Sequence, residues 1–540
     1  MAIRYLVALT AAALLDAPAS QPRSATDAAT AKALAVSSCM ASEGTGSAAS
    51  ARPAVLVPGL TPAHMAASRN PEAQAFFDQG LGQLWGFDYD EALKSFARAA
   101  AIDADCVLCS WGQALALGPY INSGPIDAKI IARARLLTEK ALATPGLSER
   151  DRALLAAVHA RHAPGGTQDG VHADGYAETM LQLAARWPED DLVAILAAEA
   201  VMDAQPWDYW LAGGKRNKGR AGEAIRLVET VLARSPDHPQ AIHLLIHLTE
   251  ASADPARAAG PAARLGGLAP AAPHMVHMPS HTWYRIGRYQ DAIAANQSAI
   301  AADTAYARAT GADPQYYGYF LHHNHFLAAS AMQTGDKATA LAAADALEAA
   351  ISPATALAKP YLQGRLATAL QARAHFLAPA DVLALPAPDA RLTGVRIAWH
   401  GVRGEALARL GRTDDARAEL VALRTLRDSQ AGTTTPGRRR YNSNVLATIA
   451  DSVVRGRIAE AEGRSDEALR QYRAAEAIAS NQPYAEPPLW PIPVSVLSGQ
   501  LRLKQGDRAG AAADFRRALA ETPGNSLASA GLAAARGGMS

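Results

Sequence analysis

The sequence predicts an all-α protein built from repeated helical hairpins, and three observations lead to that prediction. Helix-forming residues dominate the 540-residue chain, in long stretches rich in Ala, Leu, Arg, Glu and Gln. The alternation of β-branched residues that is typical of strands is nearly absent. Helix-pair signatures recur with a spacing of 34 residues in the middle of the chain. Because the chain is too long for one compact core, these repeats predict an elongated array.

The repeats follow the tetratricopeptide (TPR) pattern, which asks for a small residue at position 8, Ala at 20, an aromatic residue at 24 and Ala at 27. Small residues at these positions let the two helices of a hairpin approach closely. The segments that match are Gly80/Ala92/Phe96/Ala99, Gly404/Ala416, Gly456/Ala468/Tyr472/Ala475 and Gly499/Ala511/Phe515/Ala518. The sequence therefore predicts a TPR-type superhelix, an α-solenoid, of about eight to eleven hairpins.

The N-terminus is typical of an exported protein. Arg4, an apolar run over residues 5–15 and a small-residue cleavage site at 17–19 predict a signal peptide over residues 1–19. Residues 20–67, rich in Ala, Ser, Thr, Gly and Pro, predict a flexible linker. No later apolar run reaches the roughly 20 residues of a transmembrane segment. We expect a soluble protein that is periplasmic or secreted.

Three groups of repeats are expected after the linker: N-terminal TPR-like repeats over 68–204, central His-rich repeats over 205–354, and C-terminal repeats over 355–540. In the central group Ala224, Ala258 and Ala292 occupy position 20 and lie 34 residues apart. Ala340 follows after 48 residues, which predicts an insertion of 14 residues near 304–320. The tyrosines of this insertion are Tyr306, Tyr316, Tyr317 and Tyr319.

Histidines are concentrated in the central repeats, where nine of the chain's 15 lie within residues 238–325. In the first helix of a TPR hairpin, positions 2, 5, 9 and 12 share the face that lines the concave groove. The residues predicted on this face are His243, His247 and Glu250; His274, His277 and His281; and His322 and His325. His323 falls off the face, and Pro279 is expected to break the helix that begins at Pro273.

This cluster predicts a metal site, because neutral imidazole is the commonest metal ligand in proteins. The predicted metal ligands are His243, His247, His277, His281, His322 and His325. Several imidazoles with a carboxylate suit a transition metal ion (zinc, copper or iron) better than calcium or magnesium. An open coordination position would make the site catalytic, with Glu250 as base and with Tyr284 and Arg285 orienting a small polar substrate.

Other interpretations stay open at this stage. The cluster fits a metal-free catalytic or ligand pocket, and it also fits a non-enzymatic scaffold whose groove clamps a peptide or a partner helix. An aromatic segment with Trp207, Tyr209 and Trp210 either covers the groove or packs between repeats.

Charge and cysteine content add two further points. Lys+Arg 52 against Asp+Glu 51 gives a net charge of +1, so no basic excess predicts a nucleic-acid partner. Cys106 and Cys109 are buried thiols, a disulfide, or a redox or metal pair.

Several segments resemble a family of exported bacterial TPR proteins, and they are spread over about residues 70–535. They are FFDQGLGQLWGFDYDEALKSF from Phe76, SWGQALALGPYIN from Ser110, HLLIHLTEAS from His243, HMPSHTWYRIGRYQDA from His277 and YAEPPLWPIPV from Tyr484. HMPSH followed by GRY is the most specific of them. This chain departs from the family at residues 319–325, where YFLHHNH replaces a Tyr-Pro-His lead into an HNxH-like segment. The resemblance implies the fold and export, and it implies no particular reaction.

Overall fold

A computed structural model shows a chain of consecutive α-helices, most of them paired in antiparallel hairpins. Within the described residues, the β-structure is limited to isolated bridge residues, of which Trp210 and Asn217 pair with each other. The predicted all-α, TPR-type solenoid is therefore confirmed. The described residues are 52–166, 169–313, 319–430 and 442–537. In these ranges none of the helices combines the length and the apolarity that a membrane crossing requires.

The first eight helices form four hairpins, the last of which spans the boundary predicted between residues 204 and 205. Their helices are α1 (Pro71–Trp85), α2 (Tyr89–Ile102), α3 (Val107–Ala116), α4 (Ala128–Leu142), α5 (Glu149–Arg161), α6 (Ala173–Arg186), α7 (Asp191–Ala204) and α8 (Ala221–Arg234). Cys106 and Cys109, at the start of α3, form a disulfide, one of the states that the sequence left open.

The central repeats carry the histidines on the first helix of each hairpin. The helices are α9 (Pro239–Glu250), a 3-10 turn (Pro255–Ala258), α10 (Ala259–Leu268), α11 (Pro273–His277), α12 (Pro279–Arg285), α13 (Tyr289–Thr310), α14 (Phe320–Thr334) and α15 (Lys337–Ala350). The break before Pro279 is where the sequence predicted it, because proline cannot donate the backbone hydrogen bond that would join α11 to α12.

The C-terminal repeats continue the array to residue 536. Their helices are α16 (Pro353–Ala358), α17 (Leu362–Phe376), α18 (Pro379–Leu383), α19 (Thr393–Arg409), α20 (Thr413–Ser429), α21 (Ser443–Ala461), α22 (Ser465–Ser480), α23 (Ser495–Lys504), α24 (Arg508–Glu521) and α25 (Ser526–Arg536).

Glycine at position 8 lets the two helices of a hairpin touch, as the repeat pattern predicts. A Cβ added at Gly80 would lie 2.9 Å from the ring of Phe96, and one added at Gly499 would lie 2.7 Å from the ring of Phe515. Carbon atoms in contact prefer about 3.5–4.0 Å. The aromatic residue at position 24 therefore packs directly on the backbone of the first helix.

The predicted insertion lengthens the second helix of its hairpin, since α13 runs for 22 residues. Its last turns reach the N-terminal repeats, where Gln83 Nε2 donates to the hydroxyl of Tyr306 at 2.8 Å. Tyr319, after the insertion, donates to the carbonyl of Phe87 at 3.3 Å. Tyr316 and Tyr317 lie outside the described residues. The insertion thus ties the central repeats to the first hairpin.

The end of the predicted linker is bonded to the fold. Val57 N donates to Gln79 Oε1 at 2.8 Å, and Ala271 N donates to the carbonyl of Gly59 at 2.9 Å. Arg52 reaches the carbonyl of Thr310 at 3.0 Å. Residues 52–67 therefore follow the surface of the repeats because their backbone polar groups find partners there. The signal peptide predicted over 1–19 lies outside the described residues.

The C-terminal repeats fold back onto the central ones. Gln333 on α14 donates to the carbonyl of Pro491 at 2.7 Å, and Asn525 donates to Gln333 Oε1 at 2.7 Å. These contacts place the 481–494 loop, between α22 and α23, over the central groove. The concave groove that the repeat pattern predicts is therefore enclosed at this point.

Candidate metal centre

Eight histidines of the central repeats lie in the interior of the protein, on α9, α11, α12 and α14. They are His243, His247, His274, His277, His281, His322, His323 and His325, each at most 7% exposed. The helical register brings most of them to a shared surface, as predicted. That surface is buried because the first hairpin covers it from one side and the 481–494 loop covers it from the other.

Three of these imidazoles converge through their Nε2 atoms, and we call His277, His281 and His322 triad A. The Nε2 of His277 lies 2.8 Å from the Nε2 of His281 and 2.9 Å from the Nε2 of His322. One ligand atom from each residue lies within 4.8 Å of the other two. The three rings come from α11, α12 and α14, so the break at Pro279 and the turn into α14 both shape the triad.

Hydrogen bonds fix the tautomers of two members of triad A. Asn296 uses its Nδ2 on the carbonyl of Ala292 at 2.7 Å, so its Oδ1, at 2.7 Å from His277 Nδ1, is an acceptor. His277 therefore donates from Nδ1. His281 Nδ1 faces carboxylate oxygens and also donates. In a neutral imidazole the nitrogen without the proton carries a lone pair and accepts hydrogen bonds. The Nε2 atoms of His277 and His281 are therefore two acceptors that face each other.

Two glutamates and a tyrosine surround His281. Glu250 Oε2 lies 2.5 Å and Glu486 Oε2 lies 3.1 Å from His281 Nδ1. Tyr484 donates its hydroxyl to Glu250 at 3.0 Å and also to Glu486. The second oxygen of Glu250 accepts from His247 Nδ1 at 2.8 Å. Glu250 therefore orients two imidazoles, one in triad A and one beyond it.

A second group of imidazoles lies beside triad A, and we call His243, His247 and His274 triad B. One ligand atom from each residue lies within 4.8 Å of the other two. His243 Nδ1 donates to the carbonyl of Trp85 at 2.7 Å, and His247 Nδ1 donates to Glu250. The Nε2 atoms of both residues and both nitrogens of His274 are buried and have no hydrogen-bond partner among the described residues.

Aromatic rings wall off triad B. Phe87 lies in the turn between α1 and α2. The centroid of its ring is 4.4 Å from that of His243 and 5.6 Å from that of His247, on which it stacks. Trp207 meets His247 edge to face at 5.1 Å. Both Phe87 (φ 56°) and Trp207 (φ 63°) adopt the left-handed backbone region, which is costly for residues with a Cβ. The aromatic segment around Trp207 thus covers the cluster, one of the two roles that the sequence left open.

Burial favours the neutral form of most imidazoles of the two triads. It holds the pKa of His243, His274, His277 and His322 well below the usual range, with neighbouring histidines adding to the effect. The pKa of His247 is also lowered by burial, against the opposing pull of Glu250. A neutral imidazole is the form that binds metal.

The pKa values of the two glutamates shift in opposite directions. Burial alone would raise the pKa of Glu250, but His281 and His247 together lower it below its ordinary value. Burial raises the pKa of Glu486 to about 7, and the nearby charge of Glu250 adds to that rise. Glu250 is therefore the more acidic member of the pair.

A cavity of about 350 Å³ opens beside triad A, on the side of Glu486. The 481–494 loop contributes the largest share of its wall, including four prolines, and α17 contributes Gly364, Arg365 and Thr368. Glu486 belongs both to the cavity wall and to the surroundings of His281, and its Oε1 is buried without a hydrogen-bond partner among the described residues. Other residues of the wall are Tyr361, Tyr484, Trp490, Arg285 and His325.

Some predicted site residues lie apart from the triads. His325 Nε2 pairs with Thr368 Oγ1 at 2.9 Å, and His325 faces the cavity instead. Tyr284 accepts from Gln333 at 3.0 Å, and Arg285 donates to the carbonyl of Glu250 at 2.8 Å. Tyr284 and Arg285 both line the cavity and belong to neither triad.

Four residues that the sequence reasoning did not assign to the site complete it: Tyr484, Glu486, Asn296 and Phe87. Tyr484 and Glu486 belong to the YAEPP segment, which the family resemblance had already marked without giving it a role. No spacing rule connects that segment to residues some 200 positions earlier. Phe87 belongs to the segment from Phe76 that the resemblance also marked without giving it a role, whereas the context of Asn296 carried no signal.

Comparisons with known proteins add little to this picture. No model of a known protein family matches the chain, and no curated protein matches it. The similar solved structures include yeast Tom70 (12% identity, TM-score 0.28, 86% of this chain and 89% of that one). They also include a human IFIT1 dimer with PPP-AAAA (12%, 0.33, 86% and 91%) and the APC/C heterotetramer Cut9-Hcn1 (13%, 0.30, 88% and 79%). TM-scores this low carry no argument, and the TPR-type fold rests on the helices and their packing.

Proposed function

We propose that this protein binds a transition metal ion at triad A. The observation that carries the proposal is the convergence of three buried Nε2 atoms, because the Nε2 of His277 lies 2.8 Å from that of His281 and 2.9 Å from that of His322. Nitrogens bound to one ion at about 2.0–2.1 Å stand roughly 3 Å apart. The triad therefore needs little rearrangement to hold an ion.

A cation accounts for the triad better than a proton does. The Nε2 of His277 has one lone pair, and it faces the Nε2 atoms of both His281 and His322. A proton on the Nε2 of His281 would form a hydrogen bond with this lone pair. The close approach of His322 would then have no lone pair of His277 left to accept a second hydrogen bond. An ion at the centre of the three accepts all their lone pairs at once.

The surroundings of the triad support the same proposal. Metal-bound histidines usually donate their other ring nitrogen to a carboxylate or a carbonyl group, which fixes the ring. His281 does so to Glu250, and His277 does so to the amide oxygen of Asn296. Three imidazoles with nearby carboxylates favour zinc, copper or iron.

We further propose that the metal ion at triad A is catalytic. A small molecule in the 350 Å³ cavity would meet Glu486, which also contacts His281. Such a molecule would then reach the bound metal ion from the cavity. We assign Tyr284 and Arg285, which line the cavity, the orientation of the bound molecule. Glu250 is engaged by His247, His281 and Tyr484, so we assign it the positioning of the imidazoles.

Metal analysis of the purified full-length protein tests the proposal. The protein is stripped with chelator, loaded separately with zinc, copper(II) or iron(II), desalted and analysed for metal per chain. We expect stoichiometric retention of at least one of these ions, and a loss of one ion per chain in His277→Ala. His322→Ala should lose the same ion.

The matched control is His325→Ala, which removes a buried histidine of the same helix, α14, that lies outside the triad. It should retain as much metal as the parent protein, and far-UV circular dichroism should show equal helix content in all variants. Retention of the full amount of metal by both His277→Ala and His322→Ala would sink the proposal.

A second candidate function is that of a protein-binding scaffold. Helical-hairpin repeats present a long concave surface, which suits an extended peptide or a partner helix. Because the groove-facing histidines are buried, a peptide would have to bind on other stretches of that surface. A pull-down from cell extract that gives the same partner with the parent protein and with His277→Ala would favour this role over a metal-dependent one.

We also propose that the protein acts outside the cytoplasm. The predicted signal peptide supports this, and so does the Cys106–Cys109 disulfide, a bond that persists mainly in oxidising compartments. Fractionation of the native host, with detection of the processed chain, tests it.

A further inference from the structure

We infer that triad B binds a second metal ion, distinct from the ion of triad A and linked to it through Glu250. The inference rests on the proposed function only in the chemistry of the ligands. Its own observation is a separate set of three buried imidazoles, His243, His247 and His274, with ligand atoms within 4.8 Å of one another.

The tautomers of triad B leave lone pairs facing the space between the rings. His243 commits its Nδ1 proton to the carbonyl of Trp85, and His247 commits its own to Glu250. Their Nε2 atoms are therefore acceptors, and both are buried without a hydrogen-bond partner in the described chain. A buried polar atom that stays unpaired destabilises the folded protein. A bound metal ion removes this destabilisation, because the lone pairs then coordinate the ion.

His274 gives the strongest indication. Both of its nitrogens are buried and unpaired among the residues that the structure describes. Its ring stacks on Tyr319 at 4.2 Å and on Phe87 at 5.6 Å, so packing fixes the ring and leaves its nitrogens to other use. A core position of this kind would ordinarily hold a phenylalanine or a leucine, which bury no polar atom.

The two triads are neighbours with separate ligand sets. The closest rings across the boundary are His247 and His281, with centroids 5.7 Å apart, and His274 and His277, at 5.9 Å. Glu250 spans the boundary, since one of its oxygens holds His247 and the other holds His281. A change of charge at one ion is therefore transmitted to the ligands of the other through a single carboxylate.

The walls of the two sites differ, which predicts different access. Phe87 and Trp207 close triad B with apolar rings. In triad A, His281 contacts Glu486, which also lines the cavity. We therefore expect the ion of triad B to exchange more slowly than the ion of triad A, and to be the last one removed by chelator.

The test counts zinc per chain in the full-length protein and in two variants. His274→Phe removes both nitrogens but keeps an aromatic ring between Tyr319 and Phe87, so the packing is preserved. We expect two zinc ions in the parent, one in His274→Phe, one in His277→Ala, and none in the double variant. His325→Ala should keep two, and circular dichroism with size-exclusion chromatography should confirm that each variant folds.

The alternative outcomes separate the two proposals. Two ions in His274→Phe, or one ion in the parent that only His277→Ala removes, would overturn the second site and leave triad A standing. One ion that both single variants remove is shared between the triads and also overturns the inference. One ion that only His274→Phe removes would support triad B and contradict triad A. No retained zinc, copper or iron in the parent overturns both.

Discussion

The chemistry of the site depends on which ring nitrogen each histidine leaves without a proton. In His277 the choice is made by Asn296, and in His247 and His281 it is made by the two oxygens of Glu250. These partners are single atoms held in place by helix packing. A substitution as small as Glu250→Gln, which brings a donor where two N–H groups now point, therefore disturbs both triads.

Backbone strain at single residues accompanies the site. Phe87 takes a left-handed backbone conformation (φ 56°) while its ring packs on His243 and His247. An L-residue with a Cβ pays roughly 1–2 kcal/mol for this conformation. The ring is kept in place because the surrounding packing more than compensates, as is common at functional sites.

The strain at Phe87 can be measured by comparing two truncations. Phe87→Ala should destabilise the protein by about 3–5 kcal/mol through the lost ring. Phe87→Gly should be less destabilising by about 1 kcal/mol, because glycine relieves the left-handed strain. The same pair at Phe96, inside α2, should show the reverse order, since glycine weakens a helix. Urea unfolding of the four variants decides, and the same order at both positions would contradict the strain.

At the scale of elements, helix pairs are held together by glycine against aromatic rings. Gly80 and Gly499 each lie under a ring of the second helix of their hairpin. The sequence predicted these contacts because the TPR pattern specifies both partners within one hairpin. The break at Pro279 was also predictable from the sequence, because a proline interrupts the helix locally.

Two glycine substitutions of opposite effect test this packing. Gly80→Ala should destabilise the protein by about 1–3 kcal/mol, because its Cβ would overlap Phe96. Gly260→Ala, on an exposed turn of α10 with no atom within 4 Å of an added Cβ, should stabilise it by up to about 1 kcal/mol. Melting temperatures of both variants provide the measurement. An equal response of the two would show that Gly80 is not in close contact with Phe96.

At the scale of the whole molecule, the site is assembled from segments that are far apart in sequence. His281 and Glu486 are 205 residues apart, and Phe87 and Tyr319 are 232 residues apart. TPR hairpins normally contact only their neighbours. Here the 481–494 loop and the long helix α13 add contacts across the array, and these contacts enclose the histidines.

Removal of metal should therefore be felt along the whole array. An ion present at 1,000 times its dissociation constant stabilises the folded state by about 4 kcal/mol. We expect chelation to lower the melting temperature and to increase hydrogen exchange together in residues 273–285 and 484–488. The His274→Phe/His277→Ala double variant should show neither change. Faster exchange in only one of the two segments would mean that the loop does not depend on the ion.

The sequence by itself determined the repeat fold, the helical register of the histidines and the break at Pro279. Each follows from residues within one hairpin, where spacing fixes geometry. The tertiary structure alone decided that the histidines form two buried triads, that His325 faces a cavity, and that Glu486, Tyr484, Phe87 and Asn296 complete the site. The reason is physical: the rotation between successive hairpins is set by packing summed over many repeats, so no local pattern shows which distant segments will meet.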